Sequence, residues 1–117
     1  MKPSDAIAFA KALADETRQT IMKLCCCDWI SVNGIVKELD VTQPTVSHHL
    51  AVLRKADLVE VQENGRETYY RLNQKRIVHC CGQIVMQFAP ETKKSEINKT
   101  DNILEDLSSN LSEDDLK

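Results

Sequence analysis

The stretch from Asp40 to Leu53, D-V-T-Q-P-T-V-S-H-H-L-A-V-L, limits the possible folds of this chain more than any other part of it. Thr42 can cap a helix that begins at Gln43 or Pro44. A proline in the first helical turn costs nothing, because the N–H that it lacks would have no partner there. Apolar residues recur at i, i+4 and i+7 and predict one buried stripe: Val46, Leu50 and Leu53.

The opposite face of this predicted helix carries hydrogen-bonding groups without charge, although 28% of the chain is charged. A solvated helix face usually carries Lys and Glu, whereas a face that touches base edges in the major groove carries Gln, Thr, Ser or His. We therefore interpret the stretch as a DNA recognition helix, with an ordinary surface helix as the alternative. The residues predicted to contact DNA here are Thr42, Gln43, Thr45, Ser47 and His48, the last four by reading bases.

Three further helices are predicted before this one, over Asp5–Leu13, from Asp15 through Leu24, and over Val32–Leu39 with Ser31 or Asn33 as its cap. The residues from Trp29 to Asn33 read as a connector. The third helix, a turn at 40–42 and the recognition helix together predict a helix-turn-helix. Asp40 can replace the common glycine of that turn, because aspartate tolerates unusual backbone angles.

A two-stranded wing is predicted next. Leu58–Gln62 and Glu67–Leu72 have strand composition, and an Asn-Gly pair within Glu63–Arg66 is a strong hairpin signal. Basic side chains on and before the wing can anchor phosphates, although a plain stabilising hairpin with solvated arginines is the alternative. The predicted phosphate contacts are Arg54, Lys55, Arg66 and Arg71.

The last helix, from Gln74 to about Phe88 with Asn73 as its cap, has an apolar stripe that also holds Cys80 and Cys81. Nothing downstream in the domain can cover that stripe, so it indicates a second copy of the chain. We therefore predict a domain over residues 1–90 and a weakly ordered acidic tail over 91–117. The predicted dimer residues, on the first and last helices, are Ile7, Ala10, Ile77, Ile84, Val85 and Phe88.

The net charge of −3 is unevenly distributed. Residues 91–117 carry −4, residues 1–90 carry +1, and Arg54–Arg76 hold six basic against four acidic groups, so the DNA-binding signal is local. No apolar run approaches the ~20 residues that span a bilayer, and the first residues do not read as a signal peptide. We expect a cytoplasmic protein with no membrane partner, in which five cysteines are not a disulfide framework.

The order of elements and several motifs resemble the ArsR/SmtB family of metalloregulatory repressors. Leu13–Arg18 is similar to the opening of that family's second helix, and Gln43–Leu50 is similar to its recognition helix. Ala56–Val59 resembles the segment that follows the recognition helix, although Asp57 stands where glycine is usual. Tyr69–Leu72 resembles the wing. The resemblance covers about residues 5–88. It implies a mainly α winged helix-turn-helix with a small β-hairpin, which forms a homodimer through its first and last helices and leaves its operator when an effector binds.

The cysteines depart from the sensor patterns of that family. The arsenic motif Cys-Val-Cys-Asp would fall on Ser31–Gly34, and the carboxylates and histidines of the zinc pattern are missing from the last helix, where only His79 is available. Neighbouring helical residues point about 100° apart, so two cysteines of the first cluster can face one atom only where the helix frays. A site joining both clusters could offer three thiolates, which suit As(III), Sb(III) or another soft ion. The candidate ligands are Cys25, Cys26, Cys27, Cys80 and Cys81.

Three roles for these cysteines remain open: binding of a thiophilic ion, sensing of redox or sulfur species, or simple packing as small hydrophobes. Some members of the family pair a helix-two cysteine with one on the last helix. We predict a dimeric repressor of double-stranded operator DNA that needs no cofactor for DNA binding and is not an enzyme. No catalytic carboxylate pair, phosphate loop or nucleophile motif is evident. The alternatives outside this class are a thiol metalloid carrier or redox protein, and a protein-interaction module.

Overall fold

Five helices and three short strands make up residues 3–91, the part of the chain that this computed structural model describes. The predicted tail lies outside the described residues from residue 92 onward. The chain divides into two units, Met1–Ile84 and Val85–Lys117, and the packing described below belongs to the first. In chain order the elements are α1 (Pro3–Leu13), α2 (Glu16–Leu24), β1 (Ile30–Ser31), α3 (Val32–Leu39), α4 (Gln43–Lys55), β2 (Val59–Asn64), β3 (Glu67–Leu72) and α5 (Gln74–Phe88).

Side-chain caps fix where the helices begin. Asp15 accepts a hydrogen bond from the backbone N–H of Arg18 (3.0 Å) at the start of α2, and this bond holds the pKa of the Asp15 carboxyl below its usual value. Ser31 caps α3 by accepting from the N–H of Gly34 (3.0 Å). Asn73 accepts from the N–H of Arg76 (3.3 Å) in the first turn of α5. The predicted caps Ser31 and Asn73 are therefore confirmed.

The turn between α3 and α4 depends on a left-handed aspartate. Asp40 ends α3 with φ 53° and ψ 43°, which confirms that it takes the place of a glycine. Thr42 is the N-cap residue of α4, but its side chain caps no backbone N–H; its hydroxyl lies 2.9 Å from that of Thr45. Asp57, after α4, is also left-handed (φ 62°), which gives a physical reason why glycine is usual at this position in the family that the sequence resembles.

The sheet has three strands in the order β1-β3-β2, so one expectation was wrong. Ile30 and Ser31, predicted as part of a connector, pair with Tyr70 and Tyr69 of β3. The wing turn is also shifted, because Asn64 still pairs with Glu67 in the ladder and the loop consists of the next two residues, 65 and 66. Gly65 has φ 65° whereas Arg66 has no positive φ, which is the type II′ pattern with glycine first.

The core lies between the helices and one face of the sheet. The predicted α4 stripe of Val46, Leu50 and Leu53 is at most 1% exposed, which confirms it. The last helix differs from expectation, because Ile77 and Ile84 pack against the core of their own chain and Cys80 is fully buried in it. The apolar stripe of α5 is therefore partly covered without a second copy.

Candidate nucleic-acid interface and thiol site

The outer face of α4 presents the predicted DNA-contacting side chains to solvent. Thr42, Gln43, Thr45, Ser47 and His48 are all exposed, and the buried stripe of the same helix fixes their orientation. Arg54 and Lys55 in its last turn are exposed as well. The geometry therefore offers an uncharged hydrogen-bonding face followed by two cations, as base reading beside phosphate contacts requires.

The tip of the wing lies beside the start of α4. Arg66 is exposed in the II′ turn, and it lines a cleft of about 110 Å³ together with Gln43 and the α3 residues Val32 and Asn33. Ser31, Glu67 and Thr68 complete that cleft. The fold thus brings a predicted base-reading residue and a predicted phosphate anchor to one side of the molecule.

Arg71 of β3 has two partners within its own subunit and keeps a partly exposed side chain. Its Nη2 donates to Oε2 of Glu60 (2.9 Å) on the neighbouring strand, and its guanidinium lies 4.6 Å from the centre of the Trp29 ring. The antiparallel register sets Glu60 directly opposite Arg71. Its charge is paired across the sheet, so Arg71 stands apart from the other three predicted phosphate anchors.

Arg18 supports the recognition helix, a role that sequence reasoning missed. Its Nε and Nη2 donate to the carbonyls of Ala12 (2.9 Å) and Lys11 (3.0 Å) at the end of α1, and its Nη1 lies 3.3 Å from Nδ1 of His49 on α4. One guanidinium therefore joins α1, α2 and α4. The available signal was the motif of residues 13–18, which contains this arginine.

Two cysteines are fully buried in the core cluster, Cys25 at the C-terminal cap of α2 and Cys80 on α5. Burial raises the pKa of the Cys25 thiol to about 11, and its Sγ is placed to donate to the carbonyl of Met22 (3.8 Å). Burial also raises the pKa of Cys80. Both thiols are therefore protonated at neutral pH, and a protonated thiol is a weak nucleophile and a poor metal ligand.

Cys26 and Cys27 lie beyond the end of α2, in a bend, and are joined in a disulfide between neighbours. The two sulfurs thus meet where the helix ends, bonded to each other, and whether they can face one other atom stays a prediction. Cys26 is half-buried and Cys27 is exposed. Both line a cleft of about 430 Å³ with four residues of the β3–α5 junction and with Glu60 and Arg71: Leu72, Asn73, Gln74 and Lys75.

One cysteine from each cluster, Cys25 and Cys80, lies in the same buried core, while the remaining cysteines lie outside it. Cys81 is exposed on α5, as is His79. Within residues 3–91 no group of three or more His, Cys, Asp or Glu side chains is arranged to hold a metal ion. The three-sulfur site envisaged from the sequence is therefore not assembled among these residues.

Large apolar side chains remain exposed on the first and last helices. In the first unit these are Ile7 on α1 (57%) and Val78 on α5 (72%), and the predicted dimer residue Ala10 is exposed too. In the second unit they are Val85, Met86 and Phe88, and Phe88 is 80% exposed. None of the helices described is both long and apolar enough to cross a bilayer.

Comparisons with known proteins agree with this architecture. A family model described as bacterial regulatory protein, arsR family, matches residues 15–61. The transcriptional repressor SdpR of Bacillus subtilis is 30% identical over 94 residues, which are 80% of this chain and 94% of that protein. The arsenical resistance operon repressor of Escherichia coli is 38% identical over 74 residues, 57% of this chain and 58% of that protein. The solved structure of reduced HlyU from Vibrio cholerae is 25% identical and has a TM-score of 0.60 over 72% of this chain and 87% of that chain.

Proposed function

Because this chain belongs to the arsR family of bacterial regulatory proteins, we propose that it is a homodimeric repressor that leaves its operator when cysteine thiolates bind a thiophilic ion. It is a DNA-binding transcription regulator and not an enzyme. The observation that carries the proposal is the outer face of α4, where exposed uncharged polar side chains lie beside the wing.

Each subunit inserts α4 into a major groove, and two subunits reach successive grooves about 34–36 Å apart. Gln43, Thr45, Ser47 and His48 read base edges. Exposed cations on α4 and at the wing tip contact phosphates, which sets position rather than sequence: Arg54, Lys55 and Arg66. Arg71 on β3 contacts phosphate as well, since its side chain stays 43% exposed and a surface ion pair such as that with Glu60 is weak.

A second copy of the chain covers the exposed apolar residues of the first and last helices. The support comes from Ile7, Val78 and Phe88, which are large and apolar yet more than half exposed. Large apolar side chains left exposed in numbers on a helix are a common mark of an association site. A symmetric pair also matches operators built from two half-sites.

The effector is As(III), Sb(III) or another soft ion. The support is the cysteine content, the meeting of Cys26 and Cys27, and the similarity to a protein named as an arsenical resistance operon repressor. Soft thiolate ligands select such ions over hard ones. A coupling free energy of about 1–3 kcal/mol between effector and DNA is typical of allosteric proteins.

The DNA-reading assignment is tested with an operator selected from a random duplex library. We expect Gln43→Ala and His48→Ala each to weaken operator binding by roughly tenfold or more, since a good side-chain contact with a base contributes about 1–3 kcal/mol. His79→Ala is the matched control, because His79 is exposed on α5. Equal losses for His48→Ala and His79→Ala in a mobility shift would refute the assignment.

A redox repressor is the second candidate, and a specific observation favours it. Cys25 of α2 and Cys80 of α5 belong to the same buried cluster, and one similar solved protein is described in its reduced form. An oxidant or polysulfide would link these two cysteines. Loss of operator binding with peroxide or polysulfide but not with arsenite, abolished by Cys80→Ser, would select this mechanism over the ion-binding one.

A further inference from the structure

We propose that the effector site is the neighbouring pair Cys26 and Cys27, which chelates a trivalent arsenical through two sulfurs within one subunit. The proposal rests on the effector response described above and names the site of that response. It excludes the other three cysteines as ligands. It also places the sensor beside the base of the wing, where β3 passes into α5.

The position of the pair at the end of α2 makes chelation possible. Within a regular helix, neighbouring side chains diverge by about 100°, so two adjacent thiols cannot face one atom. Helix α2 ends at Leu24, and the backbone of Cys26 and Cys27 lies in the bend that follows. Their sulfurs meet in the structure, so both can also turn toward a third atom. Cys80 and Cys81 are adjacent too, but they lie inside α5 with one buried and the other exposed.

Access and protonation favour the same pair. An incoming arsenical reaches Cys27, which is exposed, and then Cys26, which is half-buried. Cys25 and Cys80 are closed off in the core, where burial raises the pKa of each thiol. The cleft around the pair opens beside Gln74 and Lys75 at the start of α5.

The binding reaction balances without any further redox partner once the pair is reduced. Reduction of the disulfide by a cellular dithiol breaks the S–S bond, adds two hydrogens to the cysteines and forms a disulfide in the reductant. Arsenous acid, As(OH)₃, then exchanges two hydroxyl groups for the two sulfurs. The thiol protons leave with those hydroxyls as two water molecules. The third arsenic ligand remains a hydroxyl, which the open side of the cleft leaves in solvent.

Hydrogen bonds connect Cys26 to α5 and its neighbour Cys25 to the wing strand β3. The carbonyl of Cys25 accepts from the N–H of Leu72 at the end of β3 (2.8 Å), and the carbonyl of Cys26 accepts from Nε2 of Gln74 at the start of α5 (2.7 Å). Two residues after Cys27, the Trp29 ring lies under the Arg71 guanidinium of β3. Any change in the 25–29 bend must therefore alter the support of β3, which carries the wing tip.

Phenylarsine oxide, which condenses with two thiols and releases one water, is the probe. The intact chain is first reduced with a phosphine, because thiol reductants would compete for arsenic. We expect the probe to remove two titratable thiols per subunit from the wild type. Cys26→Ser and Cys27→Ser should each weaken binding at least tenfold. Cys81→Ser, which changes another exposed thiol, should bind like the wild type.

Measurements of operator binding then separate this proposed site from the broader proposal that arsenite releases the protein from DNA. Cys26→Ser and Cys27→Ser should keep wild-type operator affinity without arsenite, which shows that they fold, and should no longer release DNA when arsenite is added. If both variants still bind phenylarsine oxide and release DNA as the wild type does, the pair is not the site, although arsenite-controlled repression stands. If the pair binds arsenic while the wild-type operator complex stays intact, the proposed binding site is supported and the proposed release of DNA by arsenite is refuted.

Discussion

Two aspartates occupy backbone conformations that favour glycine. Asp40 and Asp57 have φ of 53° and 62° and lie before and after α4, where the chain changes direction. Left-handed geometry strains most side chains because Cβ approaches the following carbonyl oxygen, and aspartate tolerates it better than most. These two positions therefore carry local backbone strain on either side of α4.

Replacement of Asp57 by glycine should stabilise the protein. Removal of Cβ relieves the left-handed strain, so we expect the free energy of unfolding in urea to rise by about 0.5–1 kcal/mol. Ala51→Gly is the control, because Ala51 is exposed within α4 and glycine there should cost about 1 kcal/mol. A loss from Asp57→Gly as large as that from Ala51→Gly would contradict the positive φ.

The buried thiol of Cys25 should make stability fall at alkaline pH. Burial raises its pKa from the ordinary 9.0 to about 11, so the folded state holds this proton more tightly than the unfolded state. The corresponding stability is complete below about pH 9 and is lost as pH rises through about 11, an effect on the order of 2 kcal/mol. Urea midpoints measured for the wild type and Cys25→Ala should converge across that range. Parallel pH profiles would show that Cys25 ionises normally.

Some residue roles could not be predicted from the sequence because they depend on tertiary register. The partners of Arg71 are an example, because the β2–β3 pairing sets Glu60 opposite it and the Trp29 ring, just before β1, lies against it. The residues next to Arg71 in the sequence do not predict contact with either partner. The base-reading face of α4 could be predicted, because helical periodicity alone decides which side chains share a face with the buried stripe.

At the scale of elements, the helices were more predictable than the sheet. Helix α3 was predicted with the observed bounds, since its cap Ser31 and its apolar spacing are local signals. Strand β1 consists of two residues and exists only because they pair with Tyr69 and Tyr70, far along the chain. The wing turn was displaced from Asn-Gly to Gly-Arg for the same reason, since the cross-strand register decides which residues form the loop.

The two N-caps of the helix-turn-helix should differ in energy. Ser31 Oγ accepts from the N–H of Gly34, whereas Thr42 makes no side-chain cap bond. We expect Ser31→Ala to lower the free energy of unfolding by about 1 kcal/mol and Thr42→Ala by less than half of that. Equilibrium denaturation of both variants measures the difference. Equal losses would mean that the Thr42 hydroxyl caps α4 after all.

At the scale of the whole molecule, association of two copies of the chain would explain why a single copy leaves large apolar side chains exposed. Its core is closed by its own elements, since Ile77, Cys80 and Ile84 of α5 are packed within it or against it. The large apolar side chains left over are confined, among the described residues, to α1 and α5. A DNA reader with one α4 per chain also gains affinity by presenting two copies to one operator.

Disruption of that surface should separate assembly from folding. Val78 is 72% exposed, so Val78→Glu places a charge where the isolated chain loses no packing, but where a partner helix would bury it unpaired. We expect sedimentation to show monomers at micromolar concentration and operator affinity to fall at least a hundredfold, since each monomer then holds one half-site. His79→Glu is the control, because it introduces the same charge at the next residue of α5, which is polar and exposed.

A Val78→Glu protein that remains dimeric would locate the interface elsewhere. If it sedimented as a monomer with undiminished operator affinity, one subunit would be sufficient for binding, and the arsenical at Cys26 and Cys27 would have to act within that subunit through the wing alone.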